Sequence, residues 1–156
     1  MIRQNSILRS ITVGIILAMA LLACEKTTFN TTPTLTFLRA DSYDVTQGDY
    51  MTFRLRVTDK EGDIQDSIWI RAFTTRCPNS ALTIPYNMPN VPAKNDLDAE
   101  ISVRFLVGVI DPSAPIWNLN LCPGIDTAIF QFWIRDNAGN FSDTVQTDQP
   151  VLIRNN

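Results

Sequence analysis

The sequence predicts an all-β fold, an antiparallel two-sheet sandwich of about seven to eight strands, on three observations. Apolar and polar residues alternate with period two along two long segments, as half-buried strands require. In Tyr50–Thr58, Met51, Phe53, Leu55 and Val57 point one way, and Thr52, Arg54, Arg56 and Thr58 the other. In Leu97–Val107, Leu97, Ala99, Ile101, Val103, Phe105 and Val107 alternate with Asp98, Glu100, Ser102 and Arg104. Beyond the amino-terminal segment no stretch sustains the i, i+3, i+4, i+7 pattern of an amphipathic helix, so almost no helix is expected. Turn-forming clusters also break the chain at short intervals: Gln47-Gly48-Asp49, Asp59-Lys60-Glu61-Gly62-Asp63 and Asp136-Asn137-Ala138-Gly139-Asn140.

In chain order the expected strands are Thr34–Leu38, Tyr50–Thr58, Ser67–Phe73, Leu82–Ile84, Leu97–Val107, Thr127–Arg135, Phe141–Thr147 and Val151–Ile153. Ser67–Phe73 and Thr127–Arg135 are rich in aromatic and β-branched residues, which suit a pleated surface. The longer gaps, 76–96 and 108–126, hold seven of the nine prolines and read as loops or edge pieces, because proline cannot donate to a ladder.

Residues 1–23 read as a signal peptide. Arg3 and Arg9 precede the apolar run Ile11–Leu22, which is shorter than the roughly 20 residues needed to span a bilayer. The run ends in Leu21-Leu22-Ala23-Cys24, which resembles the bacterial lipobox. That resemblance implies a diacylglyceryl group on the Cys24 thiol and cleavage before Cys24. The mature chain would then span 133 residues with 11 basic and 16 acidic side chains. Each buried methylene of an anchor contributes about 0.8 kcal/mol, so two or three acyl chains hold stably. Residues 24–33 are polar and aperiodic and read as a tether reaching about 30 Å at most, ahead of a single domain over 34–156.

Gly48-Asp49-Tyr50-Met51-Thr52-Phe53, Thr58-Asp59, Gly62-Asp63 and Ser67-Ile68-Trp69-Ile70 together resemble the B–C hairpin of bacterial immunoglobulin-like domains of the PKD and cadherin-like kind. Asp136-Asn137-Ala138-Gly139-Asn140-Phe141-Ser142-Asp143 is similar to their F–G turn. The resemblance implies an immunoglobulin-like β-sandwich in a cell-surface or periplasmic setting, and no catalytic residues. It also implies that Ser67–Phe73 and Thr127–Arg135 are antiparallel neighbours, which would bring Cys77 and Cys122 to one end of the sheet. With Cys24 acylated, these two are an even pair in an oxidising compartment, and a disulfide is expected in preference to two free buried thiols.

Ile68-Trp69-Ile70-Arg71 is echoed by Phe132-Trp133-Ile134-Arg135. On adjacent strands, Trp69, Arg71, Trp133, Arg135 and Gln131 would share the face opposite the core. Such a face is either a ligand platform for a sugar ring or protein partner, or a Trp–Arg ladder that simply covers the sheet. A core tryptophan of the kind found in antibody domains is a further alternative. Asp59, Glu61, Asp63 and Asp66 cluster around Gly62; the glycine is misplaced for an EF-hand loop, and solvated turn acids with no metal are the expectation. The apolar residues of 84–92 and 115–121 suit either recognition or plugging of the core's open end.

The absence of histidine excludes a Ser-His-Asp hydrolase and a His-ligated zinc enzyme. A net charge of −3 without a basic run argues against nucleic-acid binding, and no glycine-rich phosphate loop occurs. No Asp/Glu pair stands out as a glycosidase pair. The expectation is therefore a non-catalytic, cofactor-free binding or assembly module, lipid-anchored in the cell envelope, on the outer membrane of a Gram-negative bacterium. Its partners would be the membrane and an envelope protein or glycan; the alternatives are a glycan-binding surface lipoprotein of a carbohydrate-uptake system and a structural subunit of an envelope complex.

Overall fold

The computed structural model describes residues 30–64, 67–76, 82–88, 92–107 and 124–155. Within them lie nine strands and no helix: β1 (Thr34–Ala40), β2 (Asp44–Thr46), β3 (Tyr50–Asp59), β4 (Ser67–Thr74), β5 (Leu82–Asn87), β6 (Leu97–Leu106), β7 (Gly124–Arg135), β8 (Val145–Gln146) and β9 (Val151–Asn155). They form a three-stranded sheet in the order β1-β3-β6 and a six-stranded sheet in the order β2-β9-β7-β4-β5, with β8 beside β7.

The two alternating segments behave as their periodicity requires. β3 and β6 pair antiparallel over ten residue pairs without a break, from Tyr50 opposite Leu106 to Asp59 opposite Leu97. This buries Met51, Phe53, Leu55, Val57, Val103 and Phe105 against the other sheet. β1 pairs with β3 through a bulge at Leu38, between the Phe37–Leu55 and Arg39–Arg54 pairs. The extra residue reverses the facing, so Leu35 and Ala40 are both buried although they differ in parity.

Four differences from the sequence expectation have physical causes. β2 has only three residues, too few to show a period, and it pairs parallel with β9, so the sandwich is not wholly antiparallel. β5 continues through Pro85 to Asn87. It is the edge strand beside β4, where a missing N–H costs the sheet nothing. β7 starts at Gly124, ahead of Thr127, in order to pair with β9. The strand expected over Phe141–Thr147 is reduced to a bridge at Phe141 and the short β8. Side chains enter the ladder there: the Ile134 N–H donates to Ser142 Oγ at 3.0 Å, and the Phe130 N–H lies 3.4 Å from Thr147 Oγ1.

The core is an aromatic seam between the sheets. The Phe53 ring of β3 lies 4.8 Å from Phe130 and 5.0 Å from Phe132 of β7, with Phe105 at 5.4 Å and Phe37 at 6.3 Å. All are tilted or edge contacts, which the ring quadrupole favours over face-to-face sandwiches. Truncating Phe53 would leave a cavity bordered by four rings that pack on one another. Phe53→Ala is expected to cost about 3–5 kcal/mol, read as a lowered urea midpoint with little change in slope.

Candidate functional site

The two echoed tetrapeptides lie on neighbouring strands. β4 and β7 are antiparallel, with Trp69 opposite Trp133, Ile68 opposite Ile134, Ile70 opposite Phe132 and Arg71 opposite Gln131. Alternation does the rest: Ile68, Ile70, Phe130, Phe132 and Ile134 are buried, and Trp69, Arg71, Gln131, Trp133 and Arg135 lie half-buried on the outer face of the six-stranded sheet.

On that face the indoles of Trp69 and Trp133 are nearly parallel, 5° apart, with centroids separated by 6.1 Å. Arg71 brings its guanidinium carbon to 5.2 Å from the Trp133 centroid and 5.7 Å from the Phe73 centroid. Its Nε donates to Thr83 Oγ1 on β5 at 3.1 Å, which ties the cation to the edge strand. Pro85 stands beside Trp69 in the same row. Arg135 is at the other end of the strand pair, opposite Ser67, with its guanidinium 5.8 Å from the Phe141 ring. The structure therefore gathers Trp69, Trp133 and Arg71 and sets Arg135 with Phe141. Trp69 Nε1 is buried without a hydrogen-bond partner among the described residues, so this indole contributes to the face as a ring.

Phe73 and Phe141 extend the platform beyond the residues singled out from sequence; they are 41% and 51% exposed. Phe73 carries a sequence signal, since it shares parity with Trp69 and Arg71. Phe141 carries none, because it arrives by a bridge to Arg135 from outside the strand.

The outer face of the three-stranded sheet has the opposite character. Arg56 makes a two-pronged ion pair with Asp98, at 2.7 and 2.5 Å, and Arg54 reaches Glu100 at 2.8 Å. Arg56 holds Asp98 below the usual carboxylate range through these hydrogen bonds, as Arg154 does for Asp44. That face pairs Arg54 and Arg56 with carboxylates, and at its end Arg104 lies 3.8 Å from the centroid of the exposed Tyr50 ring.

Of the remaining residues singled out from sequence, Cys24, Cys77 and Cys122 lie outside the described residues, as do the segment 115–121 and Asp66. The chain next to Cys77 can be placed. Asp126 at the start of β7 accepts from the Thr75 hydroxyl at 2.9 Å and the Arg76 N–H at 3.3 Å. Tyr86 and Met88 pack against the core, so this part of 84–92 plugs it. Together with Ile64, Ile68, Leu97 and Ile101 they line an apolar cavity of about 230 Å³ between β5 and β6, the edge strands of the two sheets. The acidic turn is not uniformly solvated as expected: Asp59 is 0% exposed and meets Asp136 from the turn after β7.

A double-mutant cycle on Trp69→Ala and Trp133→Ala should give a coupling of about 0.5–1.5 kcal/mol in urea denaturation. A coupling near zero would mean that the parallel indoles are neighbours without being partners.

No family model and no curated protein matches the chain. Among solved structures it is similar to a Niemann-Pick type C2 protein from Japanese carpenter ant, at 12% identity over 82% of this chain and 100% of that one, with a TM-score of 0.41. It is also similar to the CARDB domain of a Pyrococcus furiosus protein in complex with di-metal ions (12% identity, 79% and 92% covered, TM-score 0.28). A third is AggA, the major subunit of aggregative adherence fimbriae type I from Escherichia coli (14% identity, 85% and 100% covered, TM-score 0.26). Likeness at this level carries no argument, and it is the strand pairing itself that makes the chain a two-sheet β-sandwich.

Proposed function

We propose that this chain is a lipid-anchored, non-catalytic binding module of the bacterial cell envelope, and that the outer face of its six-stranded sheet is the binding surface. The observation that carries this reading is the contrast between the two outer faces. One pairs Arg54 and Arg56 with Glu100 and Asp98 and carries one aromatic ring, Tyr50 under Arg104, whereas the other holds two parallel indoles 6.1 Å apart, a guanidinium over one of them, and the exposed rings of Phe73 and Phe141. Tryptophan and arginine dominate the energetics of protein recognition, because they bring large contact area and a polar handle together.

A glycan is the second reading, favoured by the parallel indole pair with Gln131 and Thr83 as hydrogen-bonding neighbours. The PKD and cadherin-like character of the turn motifs belongs to the same proposal, as do acylation at Cys24, an outer-membrane location and a Cys77–Cys122 bridge. The lipobox-like Leu21-Leu22-Ala23-Cys24 behind a charged and then apolar leader supports the anchor.

Chemical cross-linking and pull-down from membranes, run beside a glycan array, tests the surface. Trp133→Ala and Arg71→Ala should each remove the captured partner or glycan while keeping a cooperative urea transition, and Arg56→Ala on the opposite sheet should retain it. Retention by both platform variants would sink the assignment. Intact mass after alkylation without reductant tests the anchor and the bridge. The expected mature chain begins at Cys24, carries added acyl mass and takes no label at Cys77 or Cys122.

A further inference from the structure

We propose that Asp59, Asp63 and Asp136 form a calcium site that joins the ends of the two sheets. Asp59 closes β3 in the three-stranded sheet, and Asp136 follows β7 in the six-stranded sheet. One carboxylate oxygen from each of the three residues lies within 4.8 Å of the others. That span is about twice a calcium–oxygen bond of 2.3–2.6 Å, so a single ion can touch all three.

Clustered acids alone would not make a site; the state of Asp59 does. Its Oδ2 accepts from the Gly62 N–H at 2.6 Å and the Asp63 N–H at 3.2 Å. Among the described residues its Oδ1 is buried and accepts no hydrogen bond, although the side chain is completely shielded from solvent. A buried carboxylate oxygen without a donor is costly, and a coordinated cation is a partner that offsets that cost.

The frame is built before any ion arrives. Asp136, 1% exposed, is held by the Asn140 N–H at 2.7 Å and Asn140 Nδ2 at 2.8 Å, each on a different oxygen. The Asn137 N–H donates to the Asp63 carbonyl at 2.8 Å, so the two turns already touch. Gly62 has φ of +66° and lies so close to the Lys94 carbonyl that a Cβ would collide with it, which locks the Asp59–Asp63 loop. The donors are oxygen only, and three carboxylates leave calcium's remaining positions for water; a soft-metal site would need thiolate or imidazole.

The test uses the full chain stripped with EGTA. Calcium titrated calorimetrically should bind with a stoichiometry of one, and about 2 mM calcium should raise the melting temperature by about 3 °C or more. Asp63→Asn and Asp136→Asn should each abolish that shift. Asp59→Asn, which removes the buried charge, should melt at or above the stripped wild type and show no calcium response. The proposal is overturned by an unchanged melting temperature in calcium, by a shift of equal size in Asp63→Asn, or by an equal or larger shift with magnesium.

Discussion

The structure depends on the contact that Phe53 makes across the sandwich. Sheets stacked face to face share no backbone hydrogen bonds, and the two layers stay aligned through the side chains that interdigitate between them. Here one ring of β3 lodges between Phe130 and Phe132 of β7, while Phe105 of β6 and Phe37 of β1 close around it. The seam joins the central strand of the small sheet to the strand of the large sheet that pairs with β4, β8 and β9. Any slip of β7 by one residue would expose Phe130 and Phe132 and turn Trp133 inward, so the seam also sets the register of the outer face.

The two outer faces solve the problem of facing outward by different physics. Across β3 and β6, Arg54 and Arg56 reach diagonally to Glu100 and Asp98, and exposed pairs of this kind contribute little net stability. Their value is solubility and register. On β4 and β7 the cross-strand pairs are aromatic and cationic, and they leave Phe73 and Phe141 partly uncovered.

Two of the buried aspartates, Asp126 and Asp59 at opposite ends of the sandwich, differ in the same informative way. Burial raises both. At Asp126, hydrogen bonds from the Thr127 N–H, the Thr75 hydroxyl and the Arg76 N–H, with the Arg76 charge behind them, outweigh it and hold the carboxyl below its ordinary value. At Asp59 two amides face the negative charges of Asp63 and Glu61, and the carboxyl stays raised. One end of the fold supplies its own positive charge, whereas the other gathers negative charge around an oxygen that no described residue donates to.

Alternation along Tyr50–Asp59 and Leu97–Leu106 was legible because each strand has one wet and one dry face, and a period of two records that locally. The Trp69–Trp133 pairing was legible for a related reason: two similar short motifs on adjacent antiparallel strands can be aligned on paper. The bulge at Leu38, the parallel β2–β9 pair and the substitution of Ser142 and Thr147 hydroxyls for ladder groups had no such local mark. The convergence of Asp136 on Asp59 and Asp63 is of that second kind, since two unremarkable turns far apart in the chain become one cluster only when β3 and β7 close over Phe53. The sequence by itself determined the class of fold and which side chains face inward, because those follow from the polarity of near neighbours along the chain. Strand partners, shared turns and charges brought face to face were decided by the tertiary structure, because they arise only from packing distant segments against one another.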